Sequence, residues 1–358
     1  MHLLETYGAS AKEFAYEDEQ KNLFLARVIA QHKNLYRVIT SCGARLARIS
    51  GKFLHQTELA ADYPAVGDYV LINKATEREN TVLIEAVLPR KSLLTRTFIG
   101  RTESASEKRL QVMAANIDIV FICMSLNQNF NLSRLERYLS IAWDSGATPV
   151  IVLTKADLCE EREARKREVE EIALGVAVIM TSDKEMVSYE ILRAYLKPGM
   201  TATFIGGSGV GKSTLINLLA GAPLLAVNEI RSDDKGRHTT TSRALFTLPT
   251  GGVVIDTPGI RELGVENSEV GRAFAEIEAL AAQCKFSDCK HEKEPGCAVR
   301  KALEEGEIDA RRLENYKKLE RESGYGALSS RKREEEKINR MFGGKKNMKA
   351  FRRSVKKK

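Results

Sequence analysis

The 358-residue chain has no apolar run that approaches the ~18 residues of a membrane span. Its start, Met1-His-Leu-Leu-Glu-Thr-Tyr7, lacks the basic region and apolar stretch of a secretory signal. There is no internal repeat and no Pro- or Gln-rich low-complexity segment. These absences predict a cytoplasmic protein without membrane association. Cysteine is sparse: Cys42, Cys123 and Cys159 are scattered and are expected to be reduced, buried thiols. The other three, Cys284, Cys289 and Cys297, fall within 14 residues around His291. His2, His32 and His55 have no such neighbours and read as surface or barrel residues.

Acid is scarce at one end only. The net charge is +8, but Arg331–Lys358 holds 13 Lys/Arg against 3 Glu, so the rest of the chain is slightly acidic. The basic tail seeks polyanions, whereas the folded body need not. Apolar residues make up 43% and charged residues 29%, an ordinary globular composition long enough for two or three domains.

Residues 1–20 are poorly patterned and read as a loose arm. From 21 to 95, five short β runs (23–31, 34–40, 44–49, 66–73 and 81–88) alternate with turn residues. They predict a small closed barrel, OB-like or SH3-like. Pro89–Ser92 marks its exit. From 96 to 275, buried strands at 117–126, 148–154, 176–180, 201–205 and 252–255 alternate with helical stretches at 132–143, 160–174 and 214–219. Ser133 lies near the start of the first helix. That pattern predicts an α/β domain around a parallel sheet. Residues 276–325 read as a helical module interrupted by the Cys/His cluster, loosening at Gly324–Gly326, and 326–358 as the basic tail.

The strand 201–205 runs into Gly206-Gly207-Ser208-Gly209-Val210-Gly211-Lys212-Ser213-Thr214, a phosphate-loop pattern in its strand–loop–helix context. Its glycines let N–H groups turn inward around phosphate oxygens at a helix N-terminus. Lys212 is expected on the β/γ-phosphates and the Ser213 hydroxyl on Mg²⁺. Strand 252–255 ends in Asp256-Thr-Pro-Gly259, where Asp256 can hold Mg²⁺ through water and the Gly259 N–H can touch a γ-phosphate. Thr154-Lys155-Ala156-Asp157 follows another buried strand. The Asp157 carboxylate can accept from guanine N1–H and N2–H₂ together, and adenine would leave it unpaired. Lys155 would pack its stem along the base, and Ser182 is placed to support an N–H to guanine O6. GTP/GDP is therefore the expected nucleotide, with Mg²⁺.

The order of these pieces is unusual. In small GTPases the phosphate loop precedes Asp-x-x-Gly, and the base-reading motif comes last. Here the base-reading motif comes first, which describes a circular permutation. Close domain termini permit such a rearrangement.

Cys284-x4-Cys289-x-His291-x5-Cys297 supplies three thiolates and one imidazole, a donor set suited to one closed, structural Zn²⁺. A disulfide and free thiols are the competing readings. Glu294-Pro295-Gly296 provides the turn that returns Cys297.

The barrel, the permuted motifs, Gly236-Arg-His-Thr-Thr-Thr241, Asp256-Thr-Pro-Gly-Ile-Arg261 and the Cys/His cluster together resemble the RsgA (YjeQ) family over about residues 21–322. The resemblance implies a multidomain fold: an OB-like barrel, a permuted P-loop GTPase domain and a zinc-binding helical module. It also implies GTP hydrolysis stimulated by the small ribosomal subunit, rRNA contact and a late role in maturation of that subunit. A monomer is expected. Thr154 stands where many members have Asn, and a hydroxyl can brace the loop similarly. The rival reading is a non-catalytic RNA-binding scaffold whose shape the nucleotide sets.

Two assignments remain in the 236–261 region. Thr240 is the candidate to close over γ-phosphate and Mg²⁺. Ile260 occupies the position where many GTPases carry a water-orienting Gln, so His238 is the candidate catalytic group. The tail, with Phe351 able to stack on a base, is either an rRNA-binding arm or a solvated extension.

Overall fold

The computed structural model describes residues 3–18, 20–32, 35–57, 59–73, 81–98, 109–127, 130–182, 187–225, 243–256, 273–286 and 289–327. Two short helices open the chain, α1 (Leu3–Thr6) and α2 (Ala11–Phe14). The expected loose arm is instead packed down. Leu4 is fully buried, Ser10 and Glu13 form a capping box, and the Tyr7 carbonyl accepts from the Arg27 guanidinium. Polar surface on either side of a few buried residues hides such a segment from pattern analysis.

Five strands follow: β1 (Leu23–His32), β2 (Leu35–Thr40), β3 (Gly43–Ile49), β4 (Tyr69–Asn73) and β5 (Thr81–Val87), with helix α3 (Gly51–Gln56) after β3. They close in the order β1-β2-β3-β5-β4-β1, and β3 runs parallel to β5. That order decides between the two barrels left open by the sequence and is an OB barrel. Its interior is Ala26, Val28, Val38, Ala47, Val70, Ile72, Val82 and Ile84, alternating with outward residues as a half-buried strand requires. Cys42 is exposed at the β2–β3 turn, so the expectation of a buried thiol fails there, whereas Cys123 is buried and Cys159 half-buried.

A hairpin that composition does not announce follows, β6 (Leu93–Phe98) and β7 (Arg109–Ala115). Next come β8 (Ile119–Ser125), α4 (Leu132–Asp144), β9 (Thr148–Thr154), α5 (Arg162–Ile172), β10 (Ala177–Met180), α6 (Val187–Tyr195), β11 (Thr201–Gly206), α7 (Lys212–Ala220), β12 (Ala244–Thr247) and β13 (Val253–Asp256). The cap of α4 is Asn131, whose Oδ1 accepts from the Arg134 N–H at 2.8 Å, rather than Ser133. Strands β10-β9-β8-β11-β13 are parallel. The sheet is nonetheless not wholly parallel, because β12 pairs antiparallel to β13. β12 also bridges Ala244 to Ala30 of β1, so barrel and central domain share one continuous sheet.

Arg27 locks that junction. It is fully buried on β1, and its guanidinium donates to the Gly67 carbonyl at 3.2 Å and to Thr201 Oγ1 on β11 at 2.9 Å, as well as to Tyr7. It also lies 4.7 Å from the Tyr69 ring centroid. Burial pushes its pKa down, yet acceptors from arm, barrel and central domain all face it. At the barrel exit, Arg90 forks onto buried Asp68 with two 2.7 Å bonds and donates to the Ala61 and Tyr63 carbonyls.

The C-terminal part is helical: α8 (Ala275–Ala281), α9 (Ala298–Glu304) and α10 (Ala310–Ala327). α10 continues through Gly324 and Gly326, where the composition predicts loosening. Its anchor is Glu136 of α4, whose side chain is wholly buried. That carboxylate accepts from Arg312 Nη1 at 2.8 Å and from Asn315. Arg312 reaches onward to Glu276 and to the Ala273 carbonyl, and its guanidinium sits 4.8 Å from the Phe274 ring centroid. Among the described residues, no helix is long and apolar enough to cross a membrane.

Candidate nucleotide site and metal centre

β11 is buried along its whole length and ends where the chain must turn sharply. Gly206 has φ +146°, and a Cβ there would stand 2.3 Å from the Cys123 carbonyl oxygen. Only glycine lets β11 pass β8 this closely. Gly209 and Gly211 also have positive φ, at +69° and +96°, and Gly211 caps α7. Gly207, Ser208, Val210, Ser213 and Thr214 complete the loop and the first turn. The Lys212 ammonium folds back to donate to the carbonyls of Gly206 at 2.9 Å and Gly207 at 2.6 Å. It thus lies across the mouth of the loop.

Thr154, at the end of β9, donates from its hydroxyl to the Val210 carbonyl at 2.6 Å. This bond joins 154–157 to 206–214 through residues 56 positions apart and makes the bracing expected of that hydroxyl. Lys155 adopts the left-handed conformation, φ +58°. The strained turn leaves Ala156 buried and turns Asp157 out to solvent. The Ala156 N–H bonds to the Thr181 carbonyl, which sets the end of β10 and buried Ser182 beside the same turn. Asp256 ends β13, beside β11; burial pushes its carboxyl up, and Lys212 opposes that shift. His238, Thr240, Gly259, Ile260 and the basic tail lie outside the described residues.

The second site is the 284–297 loop. The ligand atoms of Cys284, Cys289, His291 and Cys297 all lie within 4.8 Å of one another. Cys284 Sγ is 3.6 Å from His291 Nδ1 and 3.8 Å from Cys297 Sγ, and His291 Nδ1 is 3.4 Å from Cys297 Sγ. A tetrahedron with arms of about 2.3 Å to sulfur has edges of about 3.8 Å, so the donors fit a zinc-sized ion. Their protonation fits as well. Burial works to raise the Cys284 thiol, but the N–H groups of Val299 and Ala298 at the start of α9 outweigh it and hold it low. Burial and Lys317 hold His291 below the usual histidine range, leaving a neutral imidazole. Burial and the neighbouring sulfurs push Cys289 up to about 11, because crowded thiolates need a cation between them.

Within the Glu294-Pro295-Gly296 turn, the Glu294 side chain has a part that composition does not show. It accepts from the N–H groups of Lys290, Glu292 and Lys293 at 3.1, 2.8 and 2.9 Å. Backbone N–H groups, its own first, pull its pKa down to about 2. The turn around Glu294-Pro295-Gly296 was legible in composition; the carboxylate that ties it was not.

A phosphate loop on a central parallel sheet, with its motifs in rotated order, defines a circularly permuted P-loop GTPase carrying an N-terminal barrel and a C-terminal cluster able to hold a metal. The RsgA GTPase family model matches residues 87–266. The chain is 50% identical over 344 residues to the small ribosomal subunit biogenesis GTPase RsgA 2 of Lactiplantibacillus plantarum, covering 96% of each. It is 43% identical over 332 residues to RsgA 1 of Listeria innocua, covering 91% of this chain and 90% of that one. YjeQ from Thermotoga maritima superposes with TM-score 0.62 and 32% identity, over 83% of this chain and 97% of that one. YloQ, described as a circularly permuted GTPase, superposes with TM-score 0.58 and 25% identity, over 84% and 94%. The chain belongs to the RsgA GTPase family.

Proposed function

We propose that this protein hydrolyses GTP to GDP and phosphate during late biogenesis of the small ribosomal subunit, as a cytoplasmic monomer stimulated by that subunit. The observation that carries the nucleotide reading is the Thr154–Val210 bond, which brings a guanine-type recognition turn and a phosphate loop into one site. The subunit enters through the names of the relatives. Residues 206–214 wrap the phosphates, Lys212 moves from its loop carbonyls onto the β/γ oxygens, and Asp157 and Lys155 read the base beside Ser182. Ser213 and Asp256 would hold Mg²⁺, which would supply positive charge to the phosphate oxygens. Gly259 and Thr240 close over the γ-phosphate, and His238 orients the water. Cys284, Cys289, His291 and Cys297 hold one structural Zn²⁺.

An exposed face of the barrel supports rRNA binding. Arg37 and Leu46 pair across β2 and β3, Arg48 follows two residues on, and Lys52, Leu54 and His55 are exposed on α3, which follows β3. Cations for phosphate and apolar groups for bases are the two parts of such a surface. The basic tail is a second arm for the same polyanion.

Phosphate release from GTP, measured with and without purified small subunits, tests the reading. Stimulated turnover is expected, together with rejection of ATP. Asp157→Ala should lose preference for guanine, and Lys212→Ala should lose turnover. No turnover under either condition would favour the scaffold reading, and equal affinity for ATP and GTP would overturn guanine recognition.

A further inference from the structure

The phosphate loop has a second cationic neighbour outside its own motif. Arg134 stands in the first turn of α4, and its exposed guanidinium lies against Gly207. Its Nη1 is 3.4 Å from the point where a Cβ on Gly207 would stand. The guanidinium is thus in ordinary van der Waals reach of Gly207. On the same peptide, Lys212 bonds to the carbonyl at 2.6 Å. Lysine and arginine thus both lie beside Gly207 of the loop. The pocket between α4 and the loop is otherwise walled mainly by Cys123, Met124, Leu135, Tyr138 and Val210.

The partners along α4 sharpen the point. Glu136 is engaged by Arg311, Arg312 and Asn315, all from α10. Among the described residues, no carboxylate or carbonyl engages the Arg134 guanidinium, and the backbone N–H of this residue donates to Asn131. A planar, permanently charged fork with no acidic partner among the described residues, beside a phosphate-binding loop, matches phosphate oxygens.

We propose that Arg134 is a phosphate-contacting residue supplied in cis, adding charge to the terminal phosphate of GTP from the side of α4. The proposal rests on the GTPase reading above. Its guanidinium turns from Gly207 onto a γ-phosphate oxygen, complementing Lys212 on the opposite side. Because GDP lacks that oxygen, the effect falls on GTP and on the transition state. The pairing also gives α4 a dual role, since its next turn carries the buried Glu136 that holds α10.

The test compares Arg134→Ala and Arg134→Lys with the wild-type full chain. The readouts are kcat and KM for GTP, affinity for GDP, and affinity for GDP with aluminium fluoride. For Arg134→Ala we expect kcat to fall about tenfold or more, as for loss of a charge-assisted bond. The aluminium fluoride complex should weaken in parallel, with GDP affinity unchanged within about twofold. Lysine should restore part of the GTP affinity but little rate, since it lacks the fork. Wild-type kcat and aluminium fluoride affinity in Arg134→Ala would overturn the proposal. So would an equal loss of GDP and GTP affinity, which would make Arg134 a structural support of the loop. Absence of turnover in the wild-type protein would instead strike the GTPase reading itself.

Discussion

Replacing Arg312 by Met probes how the C-terminal module is held to the GTPase domain. Glu136 is wholly buried on α4, and its 2.8 Å bond to Arg312 is the short ion pair it makes, since Arg311 stands at 3.3 Å and is 39% exposed. Removing Arg312 strands a buried carboxylate and frees the Ala273 carbonyl and Glu276. Breaking such a pair costs roughly 3–5 kcal/mol. Arg311 and Asn315 remain to share the charge, so about 3 kcal/mol is the expected cost. Because the chain has several domains, global denaturation would blur this figure. Native-state hydrogen exchange of α8 and α10 amides reads it directly. A loss of about 3 kcal/mol corresponds to roughly a hundredfold drop in protection, while β8–β11 amides should hold. Adding Glu136→Leu removes the stranded charge, so the double variant should recover much of the protection. Subunit-stimulated turnover should fall with docking, and GTP affinity should not, because 206–214 is untouched. A loss of protection below about threefold, or strictly additive single and double variants, would refute this reasoning.

Thr154→Val removes the hydroxyl but keeps the shape, leaves the Val210 carbonyl unpaired, and should weaken GTP and GDP alike by about tenfold in equilibrium binding. Gly206→Ala forces a Cβ to within 2.3 Å of the Cys123 oxygen and should abolish nucleotide binding in the same assay. Burial pushes the Cys123 thiol up to about 12, so it stays neutral at about pH 8.5, where an ordinary thiol is half ionised; iodoacetamide should label exposed Cys42 and spare Cys123 until the fold opens. Metal analysis should find one zinc per chain, and Cys289→Ser should release it and expose the 284–297 loop to protease while β8–β11 stay folded.

What the sequence by itself determined is local. The phosphate loop, the Thr154–Asp157 turn and the Cys/His spacing are short, and their glycines, carboxylate and soft ligands have few other uses in those contexts. The barrel strands and the five parallel central strands were legible for the same reason, since alternation or continuous apolarity records which faces are buried, whereas β6, β7 and β12 were not. Tertiary structure alone decided which distant groups satisfy one another. The parallel β3–β5 pair made the barrel an OB barrel, and the Ala30–Ala244 bridge fused it to the central sheet. Arg27, Glu136, Arg312 and Glu294 look like ordinary surface charges in the chain. Their roles arise because burying a polar group is costly unless a partner meets it, and that partner can stand anywhere along the sequence: Thr201 is 174 residues from Arg27, and Arg312 is 176 from Glu136.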